Sequence, residues 1–174
     1  MHVPTRSNGF TLVELLLVVS LIAVLSSFLI PGFSNYINNQ NIRQGQELLK
    51  SDLRTAQNKA LTGVGSSSST VNYWGLKIPS ADAQSYIYFQ SNTNDGSACD
   101  GAVTDETSGS LPGDVVVKDA NGTCVFFSLR NGDATIINLT GGGDTLSVGY
   151  PGENACYGVQ INSVGMIRGV NLCP

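Results

Sequence analysis

One apolar run near the N-terminus constrains this chain more than any other feature. It extends from Phe10 to Ile30, 21 residues by count, and Glu14 is its one charged side chain. A helix that rises 1.5 Å per residue spans a hydrocarbon core of about 30 Å with a run of this length. The run therefore predicts a membrane-crossing helix. Because a carboxylate in hydrocarbon is costly, Glu14 is expected to have a partner or a role.

The leader before the run, residues 1–9, indicates its orientation. It contains Arg6 and no acidic residue, so the positive-inside tendency predicts a cytoplasmic N-terminus and places the rest of the chain outside that membrane. A cleaved secretory signal has an apolar core of about 7–15 residues and then a small-residue cleavage site. Residues 25–33 offer no such site. A single-pass protein of the cytoplasmic membrane is therefore expected.

The sequence GFTLVELL, residues 9–16, resembles the processing and assembly motif of type IV prepilins and pseudopilins. The resemblance implies cleavage between Gly9 and Phe10, N-methylation of Phe10, and pairing of Glu14 with the freed Phe10 terminus of an adjacent subunit. The implied partners are other pilin or pseudopilin subunits, a prepilin peptidase and methyltransferase, and an inner-membrane assembly platform. The final location is then an extracellular or periplasmic filament, either a type IV pilus or a type II secretion-type pseudopilus.

The helical pattern continues beyond the membrane run. Residues 31–63 are predicted as an amphipathic continuation of the stem helix, which ends near Gly63. A kink is predicted at Pro31 and Gly32, because proline lacks an amide donor and clashes with the preceding turn. Gly45 is a second, milder weak point of the helix.

Residues 64–174 are predicted as a globular β head, which gives an α+β, pilin-like fold. Alternation and turn signals predict a small, mostly antiparallel β structure. Either two small sheets packed together or one sheet wrapped on the stem helix would bury its apolar faces. The aromatic residues of the head are predicted to lie in its core rather than in a ligand site: Trp74, Tyr86, Tyr88, Phe126 and Phe127. The predicted strands cover residues 72–78, 85–90, 114–118, 123–129, 134–139, 145–150, 156–161 and 166–172.

A second, more diffuse resemblance is to minor pseudopilins of the GspH/FimT type. It is carried by LLKSDLRTAQNKAL, YWGLKI and GMIRG. DNA binding, which some relatives perform, is disfavoured because the tail GVNLCP is not basic and Arg168 is its nearest cation. The formal net charge of −4 also makes nucleic acid an unlikely partner.

All four cysteines follow the membrane run, so export predicts disulfides. Four cysteines allow three pairings, and pairing within local loops favours Cys99 with Cys124 and Cys156 with Cys173. A zinc site is disfavoured because the ligands are not clustered, and no cofactor is expected. No catalytic constellation is found in the sequence, so an enzyme is not expected.

Three weaker patterns each have a plain alternative. Lys50, Arg54 and Lys59 form the densest basic cluster, which is read as a solvated helix face rather than a DNA site. The acidic residues of the 91–110 segment lack calcium-loop spacing, so a solvated loop is favoured. They are Asp95, Asp100, Asp105 and Glu106. Two N-glycosylation patterns, at Asn121 and Asn138, are short enough to arise by chance. The serine-rich segment 62–70 is expected to be a flexible connector.

The non-filament alternative is a single-pass, membrane-anchored binding domain, which would keep an unprocessed N-terminus. A further alternative within the filament class is a minor subunit that binds a ligand, a surface or DNA.

Overall fold

The structure is a computed structural model that describes residues 9–63, 71–100, 107–118, 120–140, 142–154 and 157–172. In these ranges the chain forms two helices, α1 (Leu12–Thr62) and α2 (Gly96–Asp100), and nine strands. The strands are β1 (Tyr73–Ile78), β2 (Ser85–Ser91), β3 (Thr107–Ser110), β4 (Val116–Lys118), β5 (Thr123–Ser128), β6 (Ala134–Ile137), β7 (Thr145–Gly149), β8 (Tyr157–Ile161) and β9 (Ile167–Asn171).

The strands form two antiparallel sheets. The first has the order β3-β2-β1-β5-β6, and the second has the order β4-β7-β8-β9. Trp74 of β1 lies opposite Gln90 of β2 and Phe127 of β5, which fixes the register at the centre of the first sheet. A long N-terminal helix followed by a mostly antiparallel head confirms the predicted α+β, pilin-like fold.

The chain divides into two compact units between Asn39 and Gln40. In the second unit, the residues of α1 that face the sheets recur at three- and four-residue steps, which places them on one helix face. They are fully buried and belong to the main core: Leu49, Leu53, Ala56 and Ala60. The same core takes Trp74, Tyr86, Tyr88 and Phe127 from the first sheet, so these predicted core residues are confirmed.

Gly45 has a packing role that the sequence did not reveal. A Cβ atom added at Gly45 would lie 2.9 Å from Cγ1 of Val115 and 3.5 Å from Cγ1 of Val148. The helix is continuous and buried at this position. Gly45 therefore allows α1 to approach the head closely, rather than only weakening the helix. The helix ends at Thr62, and Gly63 follows with a left-handed φ of 63°, as the predicted stop requires.

A second, smaller core lies on the other face of the first sheet. Phe89 and Phe126 are buried there and meet edge to face, with ring centroids 5.1 Å apart. Helix α2 contributes the buried Cys99. The sequence predicted residues 91–110 as a solvated loop, and this was wrong for α2 and for β3. Strand β3 contains no large apolar residue and forms by pairing with β2.

Candidate assembly interface

Helix α1 begins with a capping interaction. Thr11 precedes the first helical residue, and its Oγ1 accepts a hydrogen bond from the backbone amide of Glu14 at 3.2 Å. The Thr11 carbonyl accepts the first helical bond from Leu15, also at 3.2 Å. Thr11 and Glu14 have the T-x-x-E spacing of a capping box. The sequence did not lead us to predict this cap, although the spacing of Thr11 and Glu14 indicates where the helix starts.

The residues before this cap are open. Phe10 is 80% exposed, and a Cβ atom added at Gly9 would meet no atom within 4 Å. The predicted cleavage site is therefore accessible within the described chain, immediately before the capped start of α1. Cleavage after Gly9 would leave Phe10 as the residue directly before the Thr11 cap.

The carboxylate of Glu14 has no hydrogen bond or ion pair recorded among the residues that the structure describes. The carboxylate lies in the first turn of α1, where the helix dipole favours negative charge. The helix dipole stabilises an exposed charge by only about 0.3–1 kcal/mol. It therefore does not replace a hydrogen-bonding or ionic partner for the Glu14 carboxylate.

The apolar side chains that follow Glu14 are exposed on every side of the helix. Leu15, Leu16, Leu17, Val19, Leu21, Ile22, Val24 and Leu25 are each more than half exposed. Exposed apolar surface of this extent marks a membrane or protein interaction surface rather than the surface of a soluble monomer. We call residues 10–28 the assembly segment.

The serine hydroxyl groups of the assembly segment donate hydrogen bonds within the helix itself. Ser20 donates to the Leu17 carbonyl at 2.8 Å, Ser26 to the Ile22 carbonyl at 2.8 Å, and Ser27 to the Val24 carbonyl at 2.7 Å. Because no hydroxyl proton needs a water partner, these serines can enter an apolar environment at low cost.

No single helix in the described part of the chain is long and apolar enough to cross a membrane. Two consecutive segments, Leu12–Phe28 and Phe33–Thr62, meet that criterion only when they are taken together. The predicted kink at Pro31 and Gly32, which lie between them, stays a prediction.

A capped helix start, an exposed apolar helix and a β head are together features of the type IV prepilin class, and comparison with known proteins supports this class. Residues 4–30 match the family model for the prokaryotic N-terminal methylation motif. The match covers residues 4–9 of the leader and the whole assembly segment, and it supports the prepilin resemblance that the GFTLVELL motif carries.

Among curated proteins, the chain is similar to type IV major fimbrial proteins FimA of Dichelobacter nodosus. One is 42% identical over 41 residues, which cover 24% of this chain and 26% of the relative. Another is 39% identical over 52 residues, which cover 29% of this chain and 32% of the relative. The chain thus spans about a quarter to a third of the length of the curated relatives it matches. No solved structure matches the chain.

The predicted cysteine pairs have different outcomes. A disulfide joins Cys99 of α2 to Cys124 of β5. It ties α2 to the smaller core, where both cysteines are fully buried. Cys156 and Cys173 lie outside the described residues, so their pairing stays a prediction.

The acidic segment lies partly within the described residues, as do residues of both sequons. Asp105 and Glu106 lie outside the described residues, and no group of three or more His, Cys, Asp or Glu side chains is placed to hold a metal ion in the described part. In the first sequon Thr123 is fully buried, and its hydroxyl donates to the Asn138 carbonyl at 3.0 Å. Asn138 of the second sequon is exposed and has a φ of 61°.

The basic cluster on α1 makes contacts within the chain. Lys50 forms an ion pair with Glu47 at 2.5 Å, and Arg54 donates to the Ile167 carbonyl at 3.1 Å. The ammonium of Lys59 lies 4.8 Å from the centroid of Trp74. Through Arg54 and Lys59, the face that was predicted to be solvated also contacts the strands of the head.

A buried phenol connects α1 to β2. The hydroxyl of Tyr86 donates to the carboxylate of Asp52, and the Tyr88 hydroxyl donates to the Asp52 carbonyl at 3.4 Å. Burial, together with the hydrogen bond and the negative charge of Asp52, raises the pKa of Tyr86 well above its ordinary value. Burial and the charge of Asp52 also raise the pKa of Tyr88. This contact was not predicted, because 34 residues separate the partners in sequence.

Proposed function

We propose that this chain is a structural subunit of a type IV pilus or a type II secretion-type pseudopilus. It is cleaved after Gly9, N-methylated at Phe10, held in the cytoplasmic membrane by the assembly segment, and then polymerised through that segment. The observation that carries the proposal is the uncovered apolar surface of the assembly segment, which begins at the matched methylation motif.

The proposed role of Glu14 follows from the environment of such a polymer. Cleavage creates a positive amine at Phe10, and the interior of a helix bundle excludes water. In that interior an amine and a carboxylate attract each other strongly, and either one left alone is costly. An unpaired Glu14 therefore disfavours a subunit that is out of register, whereas pairing with the Phe10 amine of an adjacent subunit fixes the register.

The test compares two acidic residues of α1 in cells that express the assembly machinery. Glu14→Leu removes the unpaired carboxylate from the assembly segment, while Glu47→Leu removes one whose partner, Lys50, lies on the same helix. We expect the Glu14 variant to remain in the membrane fraction and to be lost from sheared filaments. The Glu47 variant is expected to enter filaments normally. Normal filament incorporation of Glu14→Leu would refute the pairing.

Mass measurement of the N-terminus tests the processing step separately. The expected mature chain begins at a methylated Phe10, and Gly9→Val is expected to abolish cleavage. Because the structure has open space around Gly9, a block by valine would reflect the peptidase rather than damage to the fold. An unprocessed native chain would instead support a membrane-anchored binding domain.

A further inference from the structure

The segment that follows the apolar run carries no charge, although it is polar. Residues 15–42 contain no Asp, Glu, Lys, Arg or His, so the uncharged stretch extends 12 residues past Ile30. In its last part the apolar residues give way to asparagines at positions 35, 38, 39 and 41. A helix face that is only exposed to water is usually charged, so this composition needs another explanation.

Three large side chains in this uncharged part are exposed on one side of α1. Phe33 is 65% exposed, Tyr36 is 60% exposed and Ile37 is 44% exposed. Their spacing of three and four residues places them on the same helix face. The rings of Phe33 and Tyr36 are in contact, with centroids 6.5 Å apart. We call these three residues the aromatic face.

The aromatic face does not belong to the core of the head. It precedes the boundary between Asn39 and Gln40 that separates the two compact units, and the buried core residues of α1 begin at Ile42. The core of the head therefore does not cover the aromatic face. The asparagines at 35 and 38 lie on the other side of the helix by the same 3.6-residue period.

The position and the chemistry of the aromatic face match the boundary layer of a bilayer. The headgroup layer on each side of a 30 Å hydrocarbon core is roughly 5–8 Å thick, and residues 33–37 rise about 6 Å along a helix. Aromatic residues with a polar tip concentrate in this layer. Neutral asparagine amides can bond to hydrated headgroups without selecting their charge.

We propose that the aromatic face is a lipid anchor, which sets the depth of α1 in the leaflet opposite the N-terminus before the subunit is assembled. Its partner is the headgroup layer of a zwitterionic membrane, since no cation of residues 15–42 is available to select anionic lipid. This inference rests on the membrane-held stage of the proposed function. It assigns the aromatic face a role in holding the assembly segment at a fixed height.

The experiment places a single added tryptophan in the full chain, reconstituted in phosphatidylcholine vesicles. The buried Trp74 is the one native tryptophan, and its signal is subtracted by using the unmodified chain. Tyr36→Trp reports on the aromatic face, Val19→Trp on the assembly segment, and Ser51→Trp on an exposed position of α1 in the second compact unit. Lipids brominated near the headgroup or near the chain end quench each tryptophan according to its depth, and acrylamide quenches from water.

We expect Tyr36→Trp to be quenched most by bromine near the headgroup, and Val19→Trp most by bromine near the chain end. Ser51→Trp should respond to acrylamide alone. If Tyr36→Trp behaves like Ser51→Trp, or is quenched most by the deep bromine, the anchor is refuted while the membrane-held stage stands. If Val19→Trp also escapes lipid quenching, the membrane-held stage fails together with the anchor.

A second variant tests the depth-setting role itself. Phe33→Ser with Tyr36→Ser removes the aromatic face, and Asn35→Ser with Asn38→Ser is the matched control on the other side. In the Val19→Trp background, we expect the first pair to change the ratio of deep to shallow quenching and the control pair to leave it unchanged. An unchanged ratio in both would overturn the proposal.

Discussion

Removing the hydroxyl of Tyr86 tests how α1 is fastened to the head. This hydroxyl is buried, and it donates to the carboxylate of Asp52. A hydrogen bond to a charged group contributes about 1.5–3 kcal/mol. Asp52 is half-buried, so water can replace part of the lost bond, and we expect Tyr86→Phe to lower the free energy of unfolding by about 1–2 kcal/mol at neutral pH.

The same bond predicts a loss of stability at alkaline pH. The pKa of Tyr86 is raised in the folded chain above its ordinary value of 10.0, so above that pH the unfolded chain binds fewer protons than the folded chain. The stabilisation that this tyrosine contributes is fully present below about pH 10. Above that pH the free energy of unfolding falls by about 1.4 kcal/mol per pH unit for each such tyrosine. Tyr88 shares this behaviour, so Tyr86→Phe should remove roughly half of the slope.

Urea unfolding of the full chain in detergent micelles, followed by Trp74 fluorescence between pH 7 and 11, measures both effects. Tyr36→Phe is the matched control because it removes an exposed hydroxyl far along α1 from Asp52. The wild-type and Tyr86→Phe free energies should converge as the pH rises above 10. If the two pH profiles remain parallel, the attribution of the raised pKa to burial of Tyr86 beside Asp52 is refuted.

Two further substitutions test close packing and buried polar contacts in the head, and both can be measured by the same unfolding assay. A Cβ atom at Gly109 would overlap the Tyr86 ring, so Gly109→Ala should lower the free energy of unfolding by about 1–3 kcal/mol. Gly96→Ala, with nothing within 4 Å of the added Cβ atom, should lower it much less. Equal losses would contradict the packing argument. Gln46→Ala leaves carbonyls of β8 and β9 without their donor and should cost about 1–3 kcal/mol; a loss no larger than that of the exposed Gln44→Ala would show that these bonds are unimportant.

The sequence predicted those parts of the fold that local patterns encode. The strand at 123–129 was predicted from alternation and β-branched residues, and β5 covers Thr123–Ser128. Strand β3 was missed because its sequence, TSGS, has no apolar residue and depends on pairing with β2. Gly109 is needed there to make room for a ring on the neighbouring strand, and no local pattern carries that information.

At the candidate site, too, local features could be predicted from the sequence, whereas contacts between distant segments could not. The motif around Gly9, Phe10 and Glu14 was recognised in the sequence, and the family comparison supports it. The Thr11 cap is encoded in the spacing to Glu14, but it was not among the predictions. By contrast, the bond between Asp52 and Tyr86 brings together distant segments, so it could be found only from the folded chain.

The contacts of Gln46 also have a consequence for the order in which the protein is made. Its side-chain amide donates to the carbonyls of Gly158 at 2.7 Å and Val170 at 3.0 Å, across 112 and 124 residues of sequence. Contacts of such long separation form late, because the loop between them must close first. The part of α1 around Gln46 therefore stays without its final partners until β9 has left the ribosome. For the membrane-held subunit that we propose, the N-terminus would already be inserted while the head is unfinished, and the arrival of β9 would set the earliest moment at which a complete subunit exists.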